Sequence, residues 1–353
     1  MTEPSQSRHT CQLQALVLLS ACAAMVGAAQ AQAPVAQPSN VQIYGLVDAY
    51  IGSMRRSDQT GRTSVLNSNG MTTAYWGVRG TEDLGGGLKA QFALESFFQT
   101  DTGTPGRNAT DPFFSRNAWV GVTGGFGQLA AGRQTNPLFV ASGAFNPFGG
   151  SLQFSPVMLH TWQVTYNRAV LGDSVWNNTI QYVSPTVSGF KANVIYWFGE
   201  VPGDSGTHNL NITVNYAGGP VAAVLSVQEA ETGVGFDATV KRQTAFLAGA
   251  SYDFGSVKAF GQWQRARTPA RRMEADTLQL GMSVPVGSGQ IMASAATTER
   301  DITAAASTRR TSWAVGYNHA VSKRTDLYAV YLRDKLTGFG ASGSVGMGIR
   351  HRF

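Results

Sequence analysis

Cysteine is almost missing from this chain: of 353 residues only Cys11 and Cys22 are cysteines, both near the N-terminus. Beyond residue 22, therefore, no disulfide staples the fold and no thiolate is on hand as nucleophile or metal ligand. Charge is scarce as well, with Asp, Glu, Lys and Arg together at 14%, against roughly 25% in an average soluble domain. Histidine is also rare. None of His160, His208, His319 and His351 stands in an H-E-x-x-H metal motif or belongs with a G-x-S-x-G nucleophile elbow. No metal, no cofactor and no enzymatic activity are expected, although a Ser/His/Asp set assembled in space would leave no mark on the spacing. After residue 40 no apolar run reaches the ~18 residues of a membrane-spanning helix. Helical spans are excluded.

What is present is glycine (41 residues), aromatic side chains at 10% and a net charge of +6. Arg8 and His9 precede an apolar run from Leu13 to Ala29, and Ala29-Gln30-Ala31 supplies a small-x-small cleavage site. This is the order of a secretory signal peptide. Residues 1–31 are assigned to it and 32–353 to a single domain; cleavage after Ala33 would place Pro34 next to the scissile bond. Leu19-Ser20-Ala21-Cys22 also reads as a lipobox, which leaves open a lipidated Cys22. The leader carries only Glu3 and Arg8, so the mature chain keeps the net +6. No basic run with interleaved aromatics occurs, and an exported chain seldom meets nucleic acid, so that partner is set aside.

From residue 41 onward the hydrophobic period is two. Val41, Ile43, Val47 and Ile51 alternate with Gln42, Tyr44, Asp48 and Tyr50, and Leu210, Ile212, Val214 and Tyr216 alternate with Asn209, Asn211, Thr213 and Asn215. The pattern predicts strands at 41–54, 72–82, 87–98, 113–123, 127–133, 174–183, 189–199, 208–217, 220–229, 241–253, 256–266, 274–286, 289–299, 309–319, 324–334 and 343–353. About ten residues is the length of a tilted strand crossing a bilayer. Short connections such as Asp83–Gly86, Gly218–Gly219 and Gly287–Ser288 alternate with long ones, and they are made of the residues that supply tight-turn dihedrals. Aromatics including Tyr44, Tyr182, Trp263, Trp313, Tyr317 and Phe353 fall near strand ends or midway. The expectation is all-β: a sixteen-stranded antiparallel transmembrane barrel with short turns facing the periplasm and both termini on that side. A secreted β-sandwich is the alternative, and it would lack the orderly alternation of loop lengths.

Several segments carry a resemblance. Val41-Gln-Ile-Tyr-Gly-Leu-Val-Asp48, Trp76-Gly-Val-Arg-Gly-Thr-Glu-Asp-Leu-Gly-Gly-Gly-Leu-Lys-Ala90, Arg116-Asn-Ala-Trp-Val-Gly121, Phe126-Gly-Gln-Leu-Ala-Ala-Gly-Arg-Gln134, Pro147-Phe-Gly-Gly150, Asn177-Asn-Thr-Ile-Gln-Tyr-Val-Ser-Pro185 and the final Phe353 occur in order along the mature chain. Together they resemble the Gram-negative general porins of the neisserial and β-proteobacterial type. That resemblance implies a sixteen-stranded barrel, usually a homotrimer, in the outer membrane. It also implies that Phe353 is read by the outer-membrane assembly machinery, and that the third long connection folds into the lumen with Asn146, Pro147, Phe148, Gly149 and Gly150 at its tip. The expected activity is passive diffusion of small hydrophilic solutes and inorganic ions. A channel specific for an organic acid or a sugar is the alternative, and a barrel hydrolase a more distant one.

Charge then bears on selectivity. From Gln134 to Gln163 there is no Asp, Glu, Lys or Arg, and His160 is the only titratable group. With no carboxylate on the loop, a basic wall would favour anions. The resemblance puts Arg116 on that wall, and Arg79, Arg133 and Arg168 are further candidates. At Tyr75 this chain departs from relatives that carry a basic residue there. The pairs Arg55-Arg56, Lys241-Arg242, Arg271-Arg272 and Arg309-Arg310 sit at the expected extracellular ends. Each is a candidate contact for lipopolysaccharide phosphates, in addition to membrane lipid, or is plain loop charge.

Overall fold

Strict alternation gives every strand one apolar and one polar face, and two such faces can be reconciled with a bilayer only if the sheet closes on itself. The computed structural model describes residues 40–353, apart from 201, 204–205, 238 and 303–305. The expected leader, with Cys11 and Cys22, lies outside the described residues.

The first strands are β1 (Asn40–Met54), β2 (Thr63–Ser68), β3 (Tyr75–Gly85), β4 (Leu88–Phe97), β5 (Asn117–Gly124) and β6 (Gly127–Thr135). After the longest connection come β7 (Val175–Val183), β8 (Phe190–Phe198), β9 (His208–Gly218), β10 (Val221–Ala230), β11 (Gln243–Asp253) and β12 (Lys258–Thr268). The last are β13 (Met273–Val286), β14 (Gly289–Ile302), β15 (Thr308–Ala320), β16 (Thr325–Leu336) and β17 (Ser342–Arg352). From β3 on, each strand pairs antiparallel with the next. β1 pairs with β17, Val47 opposite His351 and Ser53 opposite Val345, and the ring is closed. Beyond the last ladder pair, Gly45 and Phe353 exchange backbone hydrogen bonds of 3.2 and 3.1 Å. Closure matters because each unpaired backbone group in hydrocarbon would cost several kcal/mol.

The barrel has sixteen staves, as expected, but seventeen strands. β2 was not foreseen. It pairs with the far half of β1, Ala49 opposite Ser68 and Met54 opposite Thr63. β3 takes the near half, Asn40 opposite Thr81 and Leu46 opposite Tyr75, so the two share one stave. Asp48 holds the crossover between them. Its fully buried carboxylate accepts the amides of Gly70, Met71 and Thr72 at 3.1, 2.9 and 2.8 Å and the Tyr328 hydroxyl at 2.5 Å. At the opposite rim, the β3–β4 turn needs Gly85, Gly86 and Gly87, whose φ values of +80°, +59° and +83° a side chain would strain.

Outward residues are apolar and bare: Ile43 is 72% exposed, Val120 64% and Leu280 63%. Inward residues are polar and, on the β9–β15 side, buried: Asn211, Gln228, Gln279 and Ser312. Tyr44 does not join an outer girdle. It turns inward and packs edge-on against Tyr75. What covers the polar inner face is the third long connection, residues 136–174. It contains two short helices that the period of two does not reveal, α1 (Pro137–Ala144) and α2 (Pro156–Trp162), and a 3-10 turn at Val164–Tyr166. Asn136 caps α1 by accepting the Leu138 amide at 2.9 Å, with proline at the first helical position.

Candidate pore constriction

The third connection is held by shape and by hydrogen bonds. Four of its rings sit against inner-face glycines on alternate strands. A Cβ on Gly249 would stand 3.1 Å from Phe145, on Gly281 2.7 Å from Pro147, on Gly316 3.3 Å from Phe148, and on Gly346 2.5 Å from Phe154. Phe148 and Phe154 are buried in a cluster with Tyr50, Tyr328 and Leu332 of the wall. Burying each ring stabilises the packed loop by about 2 kcal/mol. Polar anchors run alongside: Gln262 donates to the Ser142 and Phe145 carbonyls at 3.0 and 3.1 Å, and Asn136 donates to Gln228 at 2.8 Å.

The expected tip residues Asn146–Gly150 form a folded corner. Asn146 donates to the carbonyls of Ser142, Gly143 and Gly149 and accepts from the Phe148 amide and the Ser155 hydroxyl. The corner is packed on the β13–β15 wall through Pro147 and Phe148, while Gly149 and Gly150 meet nothing where a Cβ would stand.

Past α2 the anchor becomes ionic. Arg310 pairs with Asp334 at 3.0 Å and Asp58 at 3.1 Å, Arg56 pairs with Asp58 at 3.0 Å, and both guanidiniums stack on Tyr166, 4.7 and 5.6 Å from its ring centre. Tyr166 is pushed above its ordinary pKa by burial first and by the nearby Asp334 second. His160 lies between Thr298 (Nδ1, 3.0 Å) and Ser312 (Nε2, 2.9 Å). Ser312 gives its own proton to Asp334 at 2.9 Å, so Nε2 donates to Ser312. The ring is a neutral imidazole. Burial, then repulsion from Arg310 and Arg300, pushes its pKa down to about 3.

On the β1–β5 wall Asp48, Tyr50 and Glu95 are buried, but exposed polar groups remain. Arg79 is exposed on the inner face, 4.6 Å over the Tyr44 ring and hydrogen-bonded to Gln42 at 3.1 Å. Arg116 stacks 4.1 Å over Tyr75. The sequence reading missed its partner: Arg116 is ion-paired to Glu95, which also accepts from Tyr44 and Asn117. The pairing follows from strand register, Glu95 facing Asn117 across the β4–β5 ladder, and not from any local pattern. Arg133 is placed differently from the wall arginines. It lies across from Ala118, next to a β-bulge, and reaches the Ser115 carbonyl at 2.7 Å and Asn177. Arg168 donates to the Val234 carbonyl at 2.5 Å. Arg133 and Arg168 line one cavity of about 550 Å³ together with Arg107, Asp173 and Trp162. There Arg107 pairs with both Asp111 and Asp173 at 2.7 Å. Burial alone would raise the Asp173 carboxyl, but the hydrogen bonds and charge of Arg107 hold it below the usual carboxylate range. The structure thus brings Tyr75, Arg79 and Arg116 together on one wall; Arg168 is a correction, since it belongs to the third connection and not to a strand of the wall, and it shares its cavity with Arg133.

The paired basic residues do not all face outward. Lys241, Arg242, Arg271, Arg272 and Arg309 are exposed, Arg242 and Arg309 being paired with Glu229 and Glu299. Arg55 is half-buried. Arg310 is a correction: adjacent residues of a strand point to opposite faces, and this one turns inward, buried in the ion pairs just described. Arg56 likewise faces Tyr166 of the third connection and not the outer rim.

A profile of the Gram-negative porin family matches residues 15–338. The chain belongs to that family. It is 32% identical to outer membrane porin protein 32 of Delftia acidovorans over 96% of this chain and 99% of the relative. The solved anion-selective porin from Comamonas acidovorans superposes with a TM-score of 0.73 at 29% identity, covering 89% of this porin and all of that one. A trimer form of OmpT from Vibrio cholerae shares the fold at 16% identity, with a TM-score of 0.68 over 90% of the chain and all of OmpT. The porin is an outer-membrane diffusion channel, and the closed barrel with its polar inner face is the device that makes it one.

Proposed function

We propose that this porin prefers anions and that its preference arises where the third connection faces the arginine wall. The observation that carries this reading is the distribution of unpaired charge. Among the described residues, Arg79, Arg133 and Arg168 bond only to neutral oxygens; the stretch from Gln134 to Gln163 brings no carboxylate, and in the cavity of Arg133 and Arg168 three arginines stand against Asp111 and Asp173. A guanidinium stays charged throughout the working pH range, so the bias is permanent. Arg116 contributes less net charge because Glu95 neutralises it, and Tyr75 supplies a flat aromatic seat for its guanidinium.

The same reading takes the porin to be a trimer, supported by the trimeric relative. Phe353 acts as the assembly signal, supported by its position closing the ladder against Gly45. The exposed Lys241, Arg242, Arg271, Arg272 and Arg309, with Arg55, meet lipopolysaccharide phosphates. Residues 1–31 are the cleaved signal peptide.

Liposome swelling with the refolded protein tests the central point: an uncharged sugar is compared with a sugar acid of equal size. Faster entry of the acid supports the proposal. Equal or slower entry at low ionic strength contradicts it, since screening is weakest there.

A further inference from the structure

Arg300 is the residue that the channel function leaves unexplained. It lies on the inner face of β14 in register with Thr298, is 9% exposed, and forms no ion pair among the described residues. One terminal nitrogen donates to the Asn167 carbonyl of the third connection, and its Nε–H is buried without a partner. A buried cation with an orphaned donor is costly unless something balances it.

A cavity of about 200 Å³ adjoins it, lined by Arg300, Arg310, His160, Tyr166, Thr298 and Asp58, with the exposed Asn167 and Thr308 at its edge as an entry point. The charges around it are Arg56, Arg300 and Arg310 against Asp58 and Asp334, with His160 neutral. Both carboxylates are consumed by Arg310 and Arg56, which leaves one positive charge, on Arg300. A divalent oxyanion would overcompensate that charge beside the Asp58 carboxylate, whereas a halide matches it.

We propose that this cavity is a resident chloride site, held by the Arg300 Nε–H at the seam between the third connection and the wall. The site is separate from the open lumen beside Arg79 and Arg116, and its occupant would stabilise the packed loop.

Anomalous diffraction from bromide-soaked crystals of the refolded full chain tests it, with Arg300→Gln and the charge-keeping Arg300→Lys alongside. The expected result is a bromide peak within hydrogen-bonding distance of the Arg300 Nε that disappears in Arg300→Gln. A peak confined to the lumen near Arg79, or water alone at Arg300, overturns the proposal, as does a peak undiminished in Arg300→Gln. Should Arg300→Gln fail to fold, the wild type decides by its unfolding midpoint at constant ionic strength. That midpoint should rise when gluconate, whose charge is carried on a bulky hydrated carboxylate, is replaced by chloride, and Arg300→Lys should respond less. Identical midpoints in the two salts would overturn the site.

Discussion

Acid is expected to loosen the third connection from the barrel wall, and His160 sets the range in which it does so. In the packed loop the imidazole is neutral, its pKa pushed down to about 3 by burial and by Arg310 and Arg300. Released into water, it would titrate near the ordinary value of ~6.5. The released state therefore takes up the proton first. The packed state keeps its full stability above ~6.5 and loses it as the pH falls toward 3, by up to about 1.4 kcal/mol per pH unit. At pH 4.5 the loss is on the order of 2–3 kcal/mol, comparable to burying one of the loop rings. The groups facing His160 are Arg310 and Arg300 from the wall, Asp334 through Ser312, and Asp58 and Tyr166 across the adjoining cavity. All of these remain in His160→Gln, which keeps a donor and an acceptor but cannot titrate. The assay is the unfolding midpoint of refolded protein, followed by the mobility difference between folded and unfolded barrel from pH 7.5 to 4.5, with open-channel noise recorded in parallel. The wild type should lose more stability than His160→Gln over this range. Parallel pH curves, or a His160 resonance titrating near 6.5 in the folded protein, would refute the reasoning.

Further outcomes follow from the same geometry. Removing the neutral pair in Arg116→Gln/Glu95→Gln should leave ion selectivity near wild type, whereas Glu95→Gln alone should raise chloride preference in bilayer recordings. Arg79→Ala should lower the chloride-to-potassium permeability ratio roughly two- to five-fold, since a unit charge about 8 Å from a passing ion in water contributes ~0.5 kcal/mol with opposite sign for the two ions. Phe148→Ala should cost about 3–5 kcal/mol of loop packing, read as a lower unfolding midpoint and greater current noise. Arg271→Ala/Arg309→Ala should weaken binding to lipopolysaccharide micelles in a salt-dependent way, while Arg310→Ala should instead lower the unfolding midpoint.

Most of the barrel was legible in the chain because a strand's period of two is written locally. Val345, Met347 and Ile349 against Ser344 and Gly346 state which side faces out, and the structure follows. β2 was missed because Thr63–Ser68 is short and weakly alternating, and its place is set by pairing with the far half of β1. The helices of the third connection had a signal that went unread: Asn136-Pro137 and Ser155-Pro156 each put a capping residue before a proline, which is how many helices start. Parity alone would have separated Arg310 from Arg309. The loop's anchoring was not readable locally, since Gly249, Gly281, Gly316 and Gly346 look like ordinary strand glycines until Phe145, Pro147, Phe148 and Phe154 arrive from more than a hundred residues away. Nor was the pairing of Arg116 with Glu95 apparent, because it depends on which strands are neighbours.

The account rests on unpaired arginine and on a stretch of the third connection, Gln134 to Gln163, that carries no carboxylate, and the reversal potential of the refolded channel in a planar bilayer under a KCl gradient tests that most directly. A potential of the sign set by chloride is predicted, shrinking in Arg79→Ala and at high salt. A potential of the sign set by potassium would contradict it, and would give control of the lumen to Glu95, Asp111 or Asp173.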